Sequence, residues 1–170
     1  KGTRFQRVGP SLSKNRGGVV QVVNLQGAQY GGKFAVNLGL QPLGIPNVVG
    51  DEVDPKNIKE VECAFRDRLT EDGYDTWWDY TSDAAAMDCA AKAAADLFVR
   101  RAPVHFQEQM QSISTITPDE AGRALPSYYV SLALLREAQG DIEQARAFMA
   151  LAAKHASRHW VANSAIKHLL

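Results

Sequence analysis

Two runs of strand character joined by a glycine-rich connection, residues 17–40, constrain this chain more than any other part of it. Val19-Val20-Gln21-Val22-Val23-Asn24-Leu25-Gln26 is rich in β-branched residues, and Lys33-Phe34-Ala35-Val36-Asn37-Leu38-Gly39-Leu40 places Phe34, Val36, Leu38 and Leu40 on one face. Between the runs, Gly27 and Gly31-Gly32 supply the backbone freedom that a hairpin connection requires. The pattern predicts an antiparallel hairpin with one core face and one partly polar face. Asn37 lies on the polar face, and Asn24 and Gln26 share one face of the first strand.

The rest of the chain has to fold around that hairpin. A length of 170 residues with 45% apolar and 22% charged residues suits one folded domain over 1–170, with a mainly β portion at 1–80 and a helical portion at 82–170. Lys plus Arg equals Asp plus Glu at 19 each, so no global field points to nucleic acid or an anionic membrane. Arg4, Arg7, Lys14, Arg16 and Lys33 can form a basic edge, with Phe5 and Tyr30 to stack on bases, yet the charge balance argues against nucleic acid as a partner. Cys63 and Cys89 are too few for a disulfide framework or a zinc knuckle, which favours a reducing, cytoplasmic setting. A membrane span would need about 18 consecutive apolar residues, and no stretch supplies them. The chain starts at Lys1-Gly2 without methionine, so an upstream portion is expected.

In chain order, residues 3–8 read as a strand stopped by Gly9-Pro10, and residues 11–16 as a polar turn. Pro42 and Pro46 end the hairpin in a loop, and Asp51, Glu52 and Asp54 form a solvated acidic stretch without a cation-binding glycine loop. Residues 61–66 read as a strand whose start has helical spacing as well. A turn at 71–73 leads to the aromatic cluster Tyr74, Trp77, Trp78 and Tyr80. The period then changes. Ser82 or Asp83 can cap an alanine-rich helix to about Val99, with Ala86, Ala90, Ala93 and Leu97 as its apolar stripe and a break at Pro103. Residues 103–111 read as a short helix followed by a linker, and Thr117-Pro118-Asp119-Glu120 as the start of another helix. A hairpin resembling one tetratricopeptide unit is expected over 127–155, with Gly140 at its turn and Asp141 and Gln144 capping its second helix. Residues 160–170 read as a last helix.

Motifs for common chemistries are missing. The glycines lack the spacing and the following Lys-Ser/Thr of a phosphate loop, and no serine elbow is present. His155 and His159 are four apart without the glutamate of a zinc-hydrolase helix, so no metal and no cofactor is expected. Glu62, Asp67 and Asp75 are the only visible candidates for a general base. The more suggestive set is Asn24, Gln26, Asn37, Arg66 and Arg68 beside Trp77 and Trp78. Amides offer paired donors and acceptors, arginines hold a carboxylate or phosphate in a fork, and indoles wall a pocket or anchor a protein. Which face of the sheet the helices cover decides whether these groups form a core network or an open surface.

Arg4-Phe5-Gln6-Arg7, Val22-Val23-Asn24-Leu25-Gln26, Phe34-Ala35-Val36-Asn37-Leu38-Gly39, residues 63–66, Arg68-Leu69, Asp75 and Trp77-Trp78 form an ordered set. That set resembles the bacterial domain-of-unknown-function family numbered 4304, over the first half of the chain. The resemblance implies a sheet with flanking helices and a helix before the first strand, of which Lys1-Gly2 would be the tail. It implies no activity. The expected fold class is α+β, an antiparallel sheet of about four strands packed on helices with a C-terminal helical hairpin. The expected role is a binding or protein-interaction module, in one version an inhibitor of a bacterial toxin. The alternatives are an enzyme or sensor that binds a small anionic metabolite through the Asn/Arg cluster, and self-association through Leu132, Leu134, Leu135, Leu169 and Leu170.

Overall fold

The computed structural model describes residues 6–8, 11–48, 50–80, 83–122 and 124–155, with side chains from residue 11 onward. Its centre is the expected hairpin, β3 (Val19–Gly27) and β4 (Lys33–Pro42), paired antiparallel with Val23 opposite Leu38 and Asn24 opposite Asn37. Gly31 and Gly32 close the connection at φ 73° and 74°, a region that favours glycine. β1 (Gln6–Val8) and β2 (Ser11–Arg16) extend the sheet on one side. β5 (Phe65–Arg68) and the two-residue β6 (Trp78–Asp79) both pair with β4 on the other. Residues 3–5 of the expected first strand lie outside the described residues.

The polar turn expected at 11–16 is instead strand β2, and the turn is the Gly17-Gly18 pair beyond it. Polar composition concealed the strand. Ser11 and Ser13 are buried, and Ser11 accepts a 3.1 Å hydrogen bond from Asn24 Nδ2. The strand expected at 61–66 begins four residues late, since Glu60–Glu62 form a single 3₁₀ turn in which Lys59 N donates to Glu62 Oε2 at 2.8 Å. The helical start that the spacing also allowed is limited to this one turn, and Phe65 lies beyond it as the first residue of the strand.

Three helices cover the Leu38 face. α1 (Ala84–Thr115) starts on the Asp83 cap, whose carboxylate accepts from Ala86 N at 3.0 Å. It runs through Pro103 for 32 residues, or about 48 Å at roughly 1.5 Å per residue, replacing the break, short helix and linker read from the sequence. The proline is tolerated because its ring faces solvent while Ala102 and Phe106 beside it are buried and hold the helix in place. The buried line is Ala90, Ala94 and Leu97. Ala93 is exposed, so the expected stripe is displaced by one residue at that point. Thr117 and Glu120 make the capping contacts foreseen for a helix start, at 2.8 and 3.2 Å, but they close only a turn. α2 (Pro126–Ala138) and α3 (Ile142–His155) form the expected helical pair, with Gly140 at φ 82° and Asp141 capping Gln144 N at 3.1 Å. Residues 160–170 lie outside the described residues.

One core joins these layers. Val36, Leu38, Leu40 and Phe65 from the sheet meet Leu97 and Phe106 of α1 and Tyr129, Leu132 and Phe148 of the helical pair. Each such side chain contributes about 1.5–3 kcal/mol on burial. A second, smaller cluster lies on the opposite face, where Val20 and Val22 are capped by Ile58 and Cys63 from the loop between β4 and β5.

Candidate functional site

Strand periodicity sets the site. With Asn24 opposite Asn37, and Asn37 opposite Arg68, the row Ser11, Asn24, Asn37, Arg68 crosses four strands on the face away from the helices. The next row is Ser13, Val22, Gly39, Arg66. The β4–β5 loop covers only one end of this face. Gln41, fully buried, fastens it: its amide nitrogen donates to Pro42 O and Ile45 O at 3.0 and 3.1 Å, and its oxygen accepts from Ala64 N at 2.8 Å. Gly39 lets the loop settle on the strand, since a Cβ there would stand 2.7 Å from Cys63 Sγ.

Where the covering loop ends, a cleft of about 310 Å³ opens, lined by Gln26, Asn37, Glu60, Arg66, Arg68 and Asp75 with Asp67. Arg68 forms its floor and is held on every side. Nε donates to Asn37 Oδ1 at 3.2 Å, Nη1 to Asp75 Oδ2 at 2.8 Å and Nη2 to Gln26 Oε1 at 3.1 Å, with Trp77 stacked 4.8 Å from the guanidinium carbon. Asn37 Nδ2 also donates to Gln26 Oε1, at 2.7 Å. Arg66 differs. It donates through Nε to Glu60 Oε1 at 2.7 Å while its side chain is 46% exposed, and its terminal Nη groups meet no acceptor among the described residues. Glu60 is 2% exposed, and its second carboxylate oxygen, Oε2, is buried without a partner among the described residues.

Of the residues singled out by sequence, Gln26, Asn37, Arg66 and Arg68 come together at the cleft. Asn24 stands one strand away on Ser11. The two indoles separate, Trp78 opening β6 and Trp77 lying in the segment before it. Trp77 packs on Arg68, whereas Trp78 stacks on Phe34 with ring centroids 5.5 Å apart on the core side, so they form no common wall. Among the base candidates, Asp75 binds Arg68, Glu62 caps its own turn, and Asp67 faces His105 Nε2 at 3.4 Å. Glu60 was missed. It is one acidic residue in a loop, and only its burial under the sheet singles it out. Burial, reinforced by the nearby Glu60 charge, pushes the Cys63 thiol up to about 12, so it is held protonated. Among the described residues no group of three or more His, Cys, Asp or Glu side chains is placed to hold a metal ion, and no helix is long and apolar enough to cross a membrane.

An antiparallel sheet with helices on one face and a polar cleft on the other defines an α+β protein whose distinctive chemistry lies at β4 and β5. The chain belongs to the family DUF4304, described as a domain of unknown function, whose model matches residues 5–97, more than half of the chain. That match contains every residue of the cleft. No curated protein and no solved structure matches the chain.

Proposed function

We propose that this chain is a binding module whose cleft takes a small ligand through an acidic oxygen group, a carboxylate or a phosphate. The observation that carries the reading is Arg66. Its Nε is anchored on Glu60 while its terminal N–H groups are turned to no acceptor among the described residues, so a fork is oriented and its outer donors are available. Arg68, fixed by Asn37, Gln26, Asp75 and Trp77, supplies a rigid floor, so little ordering is left to oppose binding. Both indoles are engaged within the chain, which favours a small ligand over a protein that would use them as anchors. Leu132, named above for self-association, is fully buried in the core, and Leu134 and Leu135 pack against it. Leu169 and Leu170 lie outside the described residues. A bacterial, cytoplasmic setting is part of the same proposal, supported by two unpaired cysteines.

Calorimetric and NMR titration with sodium acetate and with inorganic phosphate tests this. Saturable shifts of the Arg66 side-chain resonances are expected, and Arg66→Gln should weaken binding about tenfold or more. Titrations that leave Arg66 unmoved with acetate, with phosphate and with every small ligand that carries either group would overturn the proposal.

A further inference from the structure

The Glu60–Arg66 pair is incomplete in a specific way. An arginine and a carboxylate ordinarily meet as a two-point fork. Here one point is made, Nε to Oε1 at 2.7 Å, which leaves the terminal nitrogens of Arg66 without acceptors and Glu60 Oε2 without a donor among the described residues. A buried carboxylate oxygen with no partner is costly, and it persists where some other group satisfies it. Glu60 lines the cleft but Oε2 itself is closed off from solvent, so a group entering from the cleft meets Oε2 only with a small turn of the Glu60 side chain.

The charges around the cleft narrow that group further. Arg66 and Arg68 face Glu60, Asp67 and Asp75, and each guanidinium already has a carboxylate on it at 2.7 or 2.8 Å. A ligand that brought only negative charge to Arg66 would sit among these carboxylates uncompensated. A ligand that also brings a cation removes that repulsion. Resting on the anion-binding reading above, we infer that the ligand class is a small zwitterion, a free α-amino acid: its carboxylate sits on the terminal nitrogens of Arg66, and its ammonium donates to Glu60 Oε2. The cleft volume of about 310 Å³ leaves room for a side chain, which would lie toward Gln26 and Asp75.

The test is titration of the full chain with each of the twenty common L-α-amino acids, followed by two derivatives of the best binder. The N-acetyl form lacks the ammonium, and the methyl ester lacks the carboxylate. Binding by at least one amino acid is expected, with a loss of about tenfold or more for each derivative, and a comparable loss in Glu60→Gln and in Arg66→Gln. Because the derivatives alter the ligand, the result stands even if Glu60→Gln fails to fold. An N-acetyl form or plain acetate that binds as well as the parent amino acid overturns the zwitterion and leaves the anion site in place. A methyl ester that binds as well as the parent overturns both, as does failure of every amino acid, acetate and phosphate to bind. Failure of the amino acids alone, with acetate or phosphate bound, overturns only the zwitterion; so does binding that survives Glu60→Gln unchanged, which would assign Oε2 to water.

Discussion

A methyl group added at Gly39 would meet Cys63 Sγ at 2.7 Å and Cys63 Cβ at 3.1 Å, with Glu60 Cα at 3.5 Å behind them. Gly39→Ala should therefore cost about 1–3 kcal/mol in urea unfolding, and Cys63→Ala in the same chain should recover part of it in a double-mutant cycle. The loop that moves in that variant is the one carrying Glu60, so stability and ligand affinity should fall together. The thiol itself gives a second expectation. Its pKa is about 12 when folded and 9.0 as the ordinary value. The unfolded chain releases this proton first, so its contribution to stability is complete below about pH 9 and declines as pH rises toward 12. Comparing pH-dependent unfolding of the wild type and Cys63→Ala should isolate that slope, and a thiol reagent at neutral pH should label exposed Cys89 while sparing Cys63. At this scale the period-2 alternation made it legible that Asn24 and Gln26 share one face of β3 and that Asn37 lies away from the apolar face of β4; that these are one face of the sheet follows from the register, Asn24 opposite Asn37. Glu60 and Gln41 were not legible, because their roles come from a loop folding back over the sheet, a contact that local pattern does not encode.

Among the elements, α1 and its junction with α2 depend on interactions that oppose simple propensity. Pro103 removes a backbone donor from a helix interior that tertiary burial holds together, so Pro103→Ala should raise stability by up to about 3 kcal/mol without changing helix content by circular dichroism. The far end of the helix is closed by Arg136 of α2, which is 3% exposed. Its Nη2 donates to Ile113 O and Ile116 O at 2.9 and 3.0 Å, with the guanidinium 5.8 Å above the Phe148 ring. The charge lies at the negative end of the α1 dipole, where it is favourable. Arg136→Met should destabilise by about 2–4 kcal/mol, and Arg136→Lys should restore little, since an ammonium cannot span both carbonyls while stacking on Phe148. Thermal unfolding of the two variants side by side checks this. Sequence showed the helical pair clearly, through Gly140 and the Asp141 cap, because those signals are local. It placed a break at Pro103 because the Ala102 and Phe106 contacts that override the proline come from distant parts of the chain.

In the molecule as a whole, the family match ends at residue 97, inside α1, whereas the core continues from the sheet through α1 to Tyr129, Leu132 and Phe148. The matched portion and the helical pair thus share apolar surface that neither could leave in water. A chain ending at residue 100 should lose the dispersed methyl resonances of a packed core, and the whole chain should unfold in one cooperative transition by calorimetry. The adjacent indoles bring this division into view. Trp77 lies against the cleft guanidinium and Trp78 against Phe34 at the edge of the core, so two of the chain's three tryptophans are built-in fluorophores in different surroundings. In a chain that also carries Trp160→Phe, Trp77→Phe should leave emission that follows only the melting of the interior, and Trp78→Phe emission that follows events at the cleft as well. Occupancy and unfolding can then be recorded by light alone, without attaching a dye.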